Sequence, residues 1–393
     1  MKKTIVIFIG GYIPGKKYGG PVTSIENFVN QLHDNYDIRI ICSDHDFKET
    51  NRYKGIIDGW NQVGFAKVFY TNERDYSKEK FYKIIKDFSS DIAMFYLSGI
   101  YYIKMNYEAI RLARKLSIPV LLAPRGDLMK NSITMKSKTK MIKKMTFLTL
   151  CKCINLFKGV YFQSTSDEET AGLHKYLAIA DHRIFQMPNM PVIKHERTNH
   201  IKKEDEIRIV FISRLMVKKN PLLALKAVQN IDDRYKVQFD LFGPKEDEEY
   251  WQECNTLIDA INSTKKNIEV TYKGALDPKA AKRVYDAYDC FLFPTRSENY
   301  GHVIVEALFS GCPVVLSKGT TPFDDCSNRG GYIADFSRIT EFTKHLENIA
   351  KMNQEEYQGL SLKLQEYVDE KFQVEKLKSE YIDMIEKISG ELR

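Results

Sequence analysis

Two carboxylates stand eight residues apart in one stretch of this chain: Phe293-Pro-Thr-Arg-Ser-Glu298-Asn-Tyr-Gly301-His-Val-Ile-Val-Glu306-Ala-Leu. Between them Gly301 marks the start of an apolar run, and its missing Cβ lets backbone come close to a ligand. Backbone N–H groups at a helix start are unpaired and carry partial positive charge, so they suit a phosphate. An anion-binding helix start beside two carboxylates fits a ligand with both phosphates and hydroxyl groups, as a sugar nucleotide has. A buried strand–helix unit with two incidental glutamates has the same spacing, and the surrounding residues decide between the two.

The residues are positioned by an alternation of elements. Residues 287–293 read as a short buried strand, 303–309 as a helix closed by Gly311, and 313–317 as the next strand. In an α/β sheet, ligands bind at the loops that leave the strand C-termini. A second such loop follows a strand over 207–212: Ser213-Arg214-Leu-Met-Val-Lys-Lys219-Asn220-Pro221, ahead of a helix over 222–229. Two cations at a strand end can grip a diphosphate through charge-assisted bonds about twice as strong as neutral ones. Arginine offers a planar fork and lysine a mobile point charge. Further strands read over 237–243 and 268–274.

The first half opens in the same way. A strand over 4–9 leads into Gly10-Gly-Tyr-Ile-Pro-Gly-Lys-Lys-Tyr-Gly19-Gly20-Pro21, then a helix over 22–32 and a strand over 37–42. The order is Rossmann-like, but the glycine spacing is not Gly-x-Gly-x-x-Gly, so a dinucleotide site is not implied. A strand over 91–96, a helix over 106–116 and a strand over 118–123 follow, ending in Pro124-Arg125-Gly126-Asp127. Thr165 or Ser166 stands where a helix N-cap belongs. Asp44-His-Asp46 could hold a divalent ion through its carboxylates, but a solvated loop is the expectation.

Composition narrows the class. With 393 residues, 43% hydrophobic and 28% charged, the chain fits a globular protein of two domains. It has no apolar run of about 18 to 20 residues, so no transmembrane helix is expected. The short apolar run after Met1-Lys-Lys lacks a small-residue cleavage site and reads as a first strand. Seven cysteines without a Cys-x-x-Cys pair argue against a disulfide framework and a structural zinc, and fit a reducing cytoplasm. The net charge of +7 is uneven: residues 1–195 hold 30 Lys/Arg and 18 Asp/Glu, while 196–393 hold 29 and 34. Residues 128–158 carry eight lysines (130, 136, 138, 140, 143, 144, 152 and 158) and no acid, with apolar residues interleaved. Such a stretch suits peripheral contact with an anionic membrane surface; a solvated helix face is the plainer reading, and nucleic acid is not expected as a partner.

Glu298-x7-Glu306 with Tyr-Gly-His inside it, and Ala-Leu-x-x-Gly-x-Pro-Val-Val after it, resembles the signature of family 4 retaining glycosyltransferases. Arg214 and Lys219 resemble that family's Gly-Arg-x4-Lys-Gly, with Ser213 and Asn220 in place of both glycines. The Pro-Arg-Gly at Arg125 and the late Gly330-Gly are also similar to family segments, so the resemblance spans nearly the whole chain. It implies an α/β GT-B fold: a Rossmann-like domain over 1–192, a charged linker over 193–206, a nucleotide-sugar domain over 207–371, and a terminal helix over 372–393 that returns to the first domain. The two domains would face each other across a cleft. Arg214, Lys219 and Glu298 would be catalytic. Gly19, Gly20, Asn299, Tyr300, Gly301, His302, Val303 and Glu306 would bind the donor, with Glu306 on the ribose. Arg125 and Gly126 would lie toward the acceptor.

The expected activity is metal-independent, cofactor-free transfer of a sugar from a nucleotide donor to an acceptor hydroxyl, with retained configuration. The acceptor would be a carbohydrate or lipid-linked saccharide, in bacterial surface polysaccharide synthesis at the inner face of the membrane. An epimerase or phosphorylase on the same fold, or a non-catalytic subunit, is the alternative.

Overall fold

The computed structural model describes residues 2–15, 17–129, 133, 138–194, 200–276 and 283–390. The chain divides into two compact units, residues 1–190 with 374–393 and residues 191–373.

In the first unit the strands are β1 (Thr4–Ile9), β2 (Asp37–Cys42), β3 (Trp60–Val63), β4 (Ala66–Tyr70), β5 (Ile92–Ser98), β6 (Val120–Ala123), β7 (Val160–Ser164) and β8 (Ile184–Gln186). They form one sheet in the order β3-β4-β2-β1-β5-β6-β7-β8, parallel except for the β3–β4 hairpin. The helices are α1 (Gly20–Leu32), α2 (Lys78–Ile85), α3 (Ile103–Leu116), α4 (Lys138–Cys153) and α5 (Asp167–Gly172). Strands β1 and β5 are buried along their whole length, as expected of parallel strands covered on both faces.

Alternation sorts their side chains into two cores. Val6, Phe8, Phe95 and Leu97 face α2 and α3, while Ile5, Ile7, Ile9, Met94 and Tyr96 face α1. The α1 side also receives the terminal helix Val374–Gly390, through Leu377, Tyr381, Met384, Ile385 and Ile388. The apolar stripe of that helix therefore gives it to the first unit.

The second unit carries β9 (Glu206–Ile212), β10 (Lys236–Phe242), β11 (Ile268–Gly274), β12 (Cys290–Phe293), β13 (Val314–Ser317) and β14 (Tyr332–Ala334). Its helices are α6 (Pro221–Gln229), α7 (Glu248–Thr264), α8 (His302–Phe309), α9 (Ile339–Ala350) and α10 (Gln354–Phe372). All strand pairs are parallel, in the order β11-β10-β9-β12-β13-β14. Numbered along the chain, that is the 3-2-1-4-5-6 order of a Rossmann sheet. Its reversal point lies between β9 and β12, the two strands whose loops carry Arg214, Lys219 and Glu298.

Several boundaries differ from expectation for local reasons. The terminal helix is expected over 372–393. Gln373 has φ 40°, which breaks the helical run, so Phe372 ends α10 and packs on Tyr300, Phe309 and Phe323 of the second unit. The expected linker includes 195–199, which lie outside the described residues. Its described end is fixed, with buried Lys202 donating from Nζ to the carbonyls of Glu206 (2.7 Å) and Ala350 (3.0 Å). Asp46 is not solvated: it is 7% exposed, and its Oδ1 accepts from the Lys17 N–H (3.1 Å) and the Phe47 N–H (2.9 Å). Asp44 accepts from His45 instead. In the basic stretch, 130–132 and 134–137 lie outside the described residues. Among the described residues no helix is long and apolar enough to cross a membrane.

The loop ends of β9 and β10 are pressed together. Gly243 has φ 143°, and a Cβ on it would sit 1.8 Å from the Ser213 carbonyl oxygen. Neither backbone can yield without moving Arg214, the next residue. Gly243→Ala should therefore destabilise the protein by about 1 to 3 kcal/mol, as overpacking does. Chemical denaturation with the midpoint and slope compared to wild type checks this.

Candidate active site

The loop after β9 is a tight turn in which the Lys219 and Asn220 N–H groups both donate to the Met216 carbonyl (2.9 and 3.1 Å). Asn220 has φ 60° and is the N-cap of α6, with Pro221 in the first turn. Among residues with a side chain, asparagine tolerates this left-handed geometry best, which accounts for its place where the family pattern has glycine.

The loop after β12 is bonded to the first. The Arg296 N–H donates to the Lys218 carbonyl (2.9 Å), and buried Thr295 donates from Oγ1 to the same oxygen (3.3 Å). The Glu298 N–H donates to the Thr320 carbonyl (2.7 Å), beyond β13. Three adjacent strand ends are thus laced into one platform.

On that platform Lys219 meets Glu298 in a direct ion pair, with the side chains only 10% and 15% exposed. Burial, and then the positive charge of Lys218 and Arg214, hold the Lys219 ammonium well below the ordinary lysine range. Arg214 donates from Nη1 to Glu246 Oε1 (2.9 Å) in a half-exposed pair. Glu246, in the loop after β10, is absent from the expected site. The turn Gly243-Pro-Lys-Glu246 at a strand end was its only signal. Each cation is therefore already held by a carboxylate, one pair buried and one open to solvent.

Helix α8 starts beside this platform. Its N-cap, Gly301, has φ 76° and no side chain to bond the first-turn N–H groups of His302 and Val303. Tyr300 is buried between His302 and Phe372, at ring-centroid distances of 4.5 and 5.8 Å, which fixes the turn into the helix. Asn299 is half-buried in the same turn, and Glu306 half-buried one turn along α8. Arg214, Lys219, Glu298, Asn299, Tyr300, Gly301, His302, Val303 and Glu306 all belong to this unit and to its strand-reversal region.

The other expected residues lie in the first unit, also at strand C-termini. Gly19 caps α1 and Gly20 begins it; the Gly19 α-carbon faces open space. Arg125 turns inward. Its guanidinium donates to Tyr96 Oη (2.6 Å), Ser98 Oγ (3.3 Å) and Asn189 Oδ1. The Gly126 N–H donates to buried Glu169, whose other oxygen accepts from Thr165 N–H (2.9 Å) and Oγ1 (3.0 Å). Ser166 caps α5 through Oγ, which accepts from the Glu169 N–H (3.3 Å). Among the described residues no cluster of His, Cys, Asp and Glu is arranged to hold a metal ion.

Two Rossmann-like units with these sheet orders define a GT-B fold, and solved structures agree. HepE of Anabaena, solved with UDP and glucose, aligns over 98% of this chain and 100% of its own at TM-score 0.67 and 12% identity. Sucrose-phosphate synthase of Thermosynechococcus elongatus aligns over 98% and 99% at TM-score 0.68 and 12% identity. Residues 192–367, nearly all of the second unit, match the model of the glycosyl transferases group 1 family. An uncharacterized glycosyltransferase of Methanocaldococcus jannaschii is 26% identical over 115 residues, 29% of this chain and 28% of the relative. The chain thus spans under a third of the length of that curated relative in the match.

Because the Lys219–Glu298 pair is largely buried, removing one partner strands the other. Lys219→Ala should cost about 2 to 3 kcal/mol of stability, and adding Glu298→Ala should recover much of it. A double-mutant cycle of denaturant midpoints reads the coupling; additive losses would mean that the pair is not a stabilising unit.

Proposed function

We propose that the protein is a retaining family 4 glycosyltransferase. It moves a sugar from a UDP- or GDP-sugar to an acceptor hydroxyl, without a metal. The observation that carries this reading is the convergence, at the strand-order reversal of one Rossmann sheet, of Arg214, Lys219 and the glycine-capped start of α8. That set of positive groups suits a diphosphate better than any neutral ligand. UDP with glucose in HepE of Anabaena, and UDP in TarM of S. aureus, support a nucleotide of that kind.

The roles follow from where charge develops. Breaking the bond between the anomeric carbon and phosphate leaves negative charge on the diphosphate. Arg214, Lys219 and the α8 N–H groups stabilise it there, and losing one such donor typically costs about two to three orders of magnitude in rate. Phosphate takes the place of Glu246 on Arg214. The carboxylate of Glu298, released from Lys219, then accepts hydrogen bonds from the sugar hydroxyls and orients the donor. Glu306 accepts from the ribose hydroxyls. With no obvious carboxylate nucleophile in the assigned set, the acceptor attacks on the face from which the phosphate leaves. A carbohydrate or lipid-linked acceptor of surface polysaccharide synthesis, on the cytoplasmic face of a membrane, completes the reading.

Thermal unfolding against a panel of nucleoside diphosphates and nucleotide sugars tests the donor site. A ligand at about 100 times its dissociation constant adds about 2.7 kcal/mol to the folded state. A selective shift with UDP or GDP is expected; none with any nucleotide would overturn the reading.

The charge on Lys219 gives a second test. Phosphate binding needs the ammonium form, so affinity falls as pH rises through the lysine pKa. Because that pKa lies well below the ordinary value in the free protein, kcat/KM should decline on the alkaline side earlier than an exposed lysine allows. Lys219→Arg should keep a reduced rate and lose this alkaline decline, since arginine does not deprotonate in the range. Measured in EDTA, the same profiles report on metal independence; activity lost there and restored by Mg²⁺ would refute it.

A further inference from the structure

Of the two acids paired with the cations of the second unit, Glu246 is the more exposed, at 32% against 15% for Glu298. Its place is set by backbone on both sides. Ahead of it, the Leu215 N–H donates to the Pro244 carbonyl (2.9 Å) and the Glu246 N–H donates back to the Leu215 carbonyl (3.3 Å), which staples the loop after β10 to the loop after β9. Behind it, Asp247 caps α7, its Oδ1 accepting from the Tyr250 N–H (3.1 Å). Lys245, its neighbour in the chain, is drawn elsewhere: Nζ sits over the rings of Trp251 (4.4 Å) and Tyr272 (4.9 Å). The Glu246 carboxylate can turn off Arg214, because the pair is open to solvent, but its backbone keeps it beside that residue.

We propose that Glu246 is a built-in competitor for the nucleotide phosphate, which occupies Arg214 in the empty site and limits how tightly the product diphosphate is held. The inference rests on the donor-site reading and adds a regulation of that site. Charge gives the reason. The diphosphate gains a negative charge when its bond to the anomeric carbon breaks, so cations that favour bond breaking also hold the product more tightly than the donor. A carboxylate fixed beside Arg214 competes at the effective concentration of an intramolecular partner, and so opposes that retention. The same acid acts on Lys219. That ammonium faces Glu298 in its ion pair, the Phe293 ring at 5.5 Å, and the charges of Lys218, Arg214 and Glu246. Burial, then Lys218 and Arg214, push it toward the neutral form, and Glu246 opposes them. Removing the Glu246 charge therefore has two opposite consequences. Nucleotide binds more tightly while Lys219 is charged, and Lys219 loses its charge at lower pH. A role confined to holding the loop predicts neither.

Calorimetric titration of the full chain with UDP, and with GDP in parallel, compares wild type with Glu246→Gln and Glu249→Gln from about pH 7 to about pH 10, below the ordinary lysine value. Glutamine keeps the size of the side chain and the pair is half-exposed, so the melting temperature should not change. Glu249, an exposed acid in the first turn of α7, is the control for a general loss of charge. In Glu246→Gln the nucleotide dissociation constant should fall about fivefold near neutral pH, the upper end for a half-exposed pair. The pH at which affinity declines should move down. Glu249→Gln should change neither. Affinity unchanged or weakened in Glu246→Gln, an equal gain in Glu249→Gln, or an alkaline decline that stays in place would each overturn the proposal and leave the donor site standing. No binding of either nucleotide to wild type would remove the donor site itself, and the proposal with it.

Discussion

A lysine and a glutamate that share a largely dry position at the reversal point of a parallel sheet constrain everything around them. Neither can stay charged there alone, since desolvation without a partner costs several kcal/mol. The pair is therefore held by backbone rather than by chance. The turn that carries Lys219 closes on the Met216 carbonyl, and the turn that carries Glu298 bonds to Lys218 on one side and Thr320 on the other. Gly243 packs against Ser213, and Asn220 and Gly301 take left-handed backbone, so that these turns fit without a clash. The sheet order brings three strand ends together; the turns convert that proximity into a fixed constellation.

The two ion pairs are unequal, and the inequality has chemical meaning. Arg214 and Glu246 are both open to solvent, where a pair contributes little and a ligand anion competes easily. Lys219 is buried, crowded by Lys218 and Arg214, and has its ammonium destabilised as a result. An incoming phosphate would relieve that crowding. A site built this way gains more from a doubly charged diphosphate than from a neutral sugar, and more still as negative charge accumulates during bond breaking. The reading of a donor site therefore rests on electrostatics that the two pairs generate together, not on either residue alone.

Much of this was legible in the sequence because parallel strands and their loops leave strong traces. Apolar runs marked β1, β9 and β12, and Arg214, Lys219 and Glu298 stand in the loops that leave β9 and β12. What the sequence hid was pairing across long separations. Glu246 lies in a third loop, and only the neighbouring of β9 and β10 brings it to Arg214. Helices α7, α9 and α10 were not read at all, because their packed faces are interrupted by charges that the fold sends to solvent. The terminal helix starts two residues later than expected because Phe372 continues the pattern of that helix but ends α10. Its ring serves the turn at Tyr300, a tertiary fact with no local signal.

The first unit shows why a motif residue can match while its side chain does something else. Arg125 has φ 59°, a backbone conformation that costs a residue with a Cβ about 1 to 2 kcal/mol. It persists because the guanidinium is tied to Tyr96, Ser98 and Asn189 at once. Tyr96 in turn donates to Gln163 Oε1, Gln163 donates to Tyr381 Oη, and Tyr381 donates to the Pro188 carbonyl (2.9 Å). The network joins β5, β7, the segment at 188–189 and the terminal helix. A histidine at 125 could not span those three acceptors with one planar fork. Arginine at 125 thus fits an internal tie between three elements of the first unit.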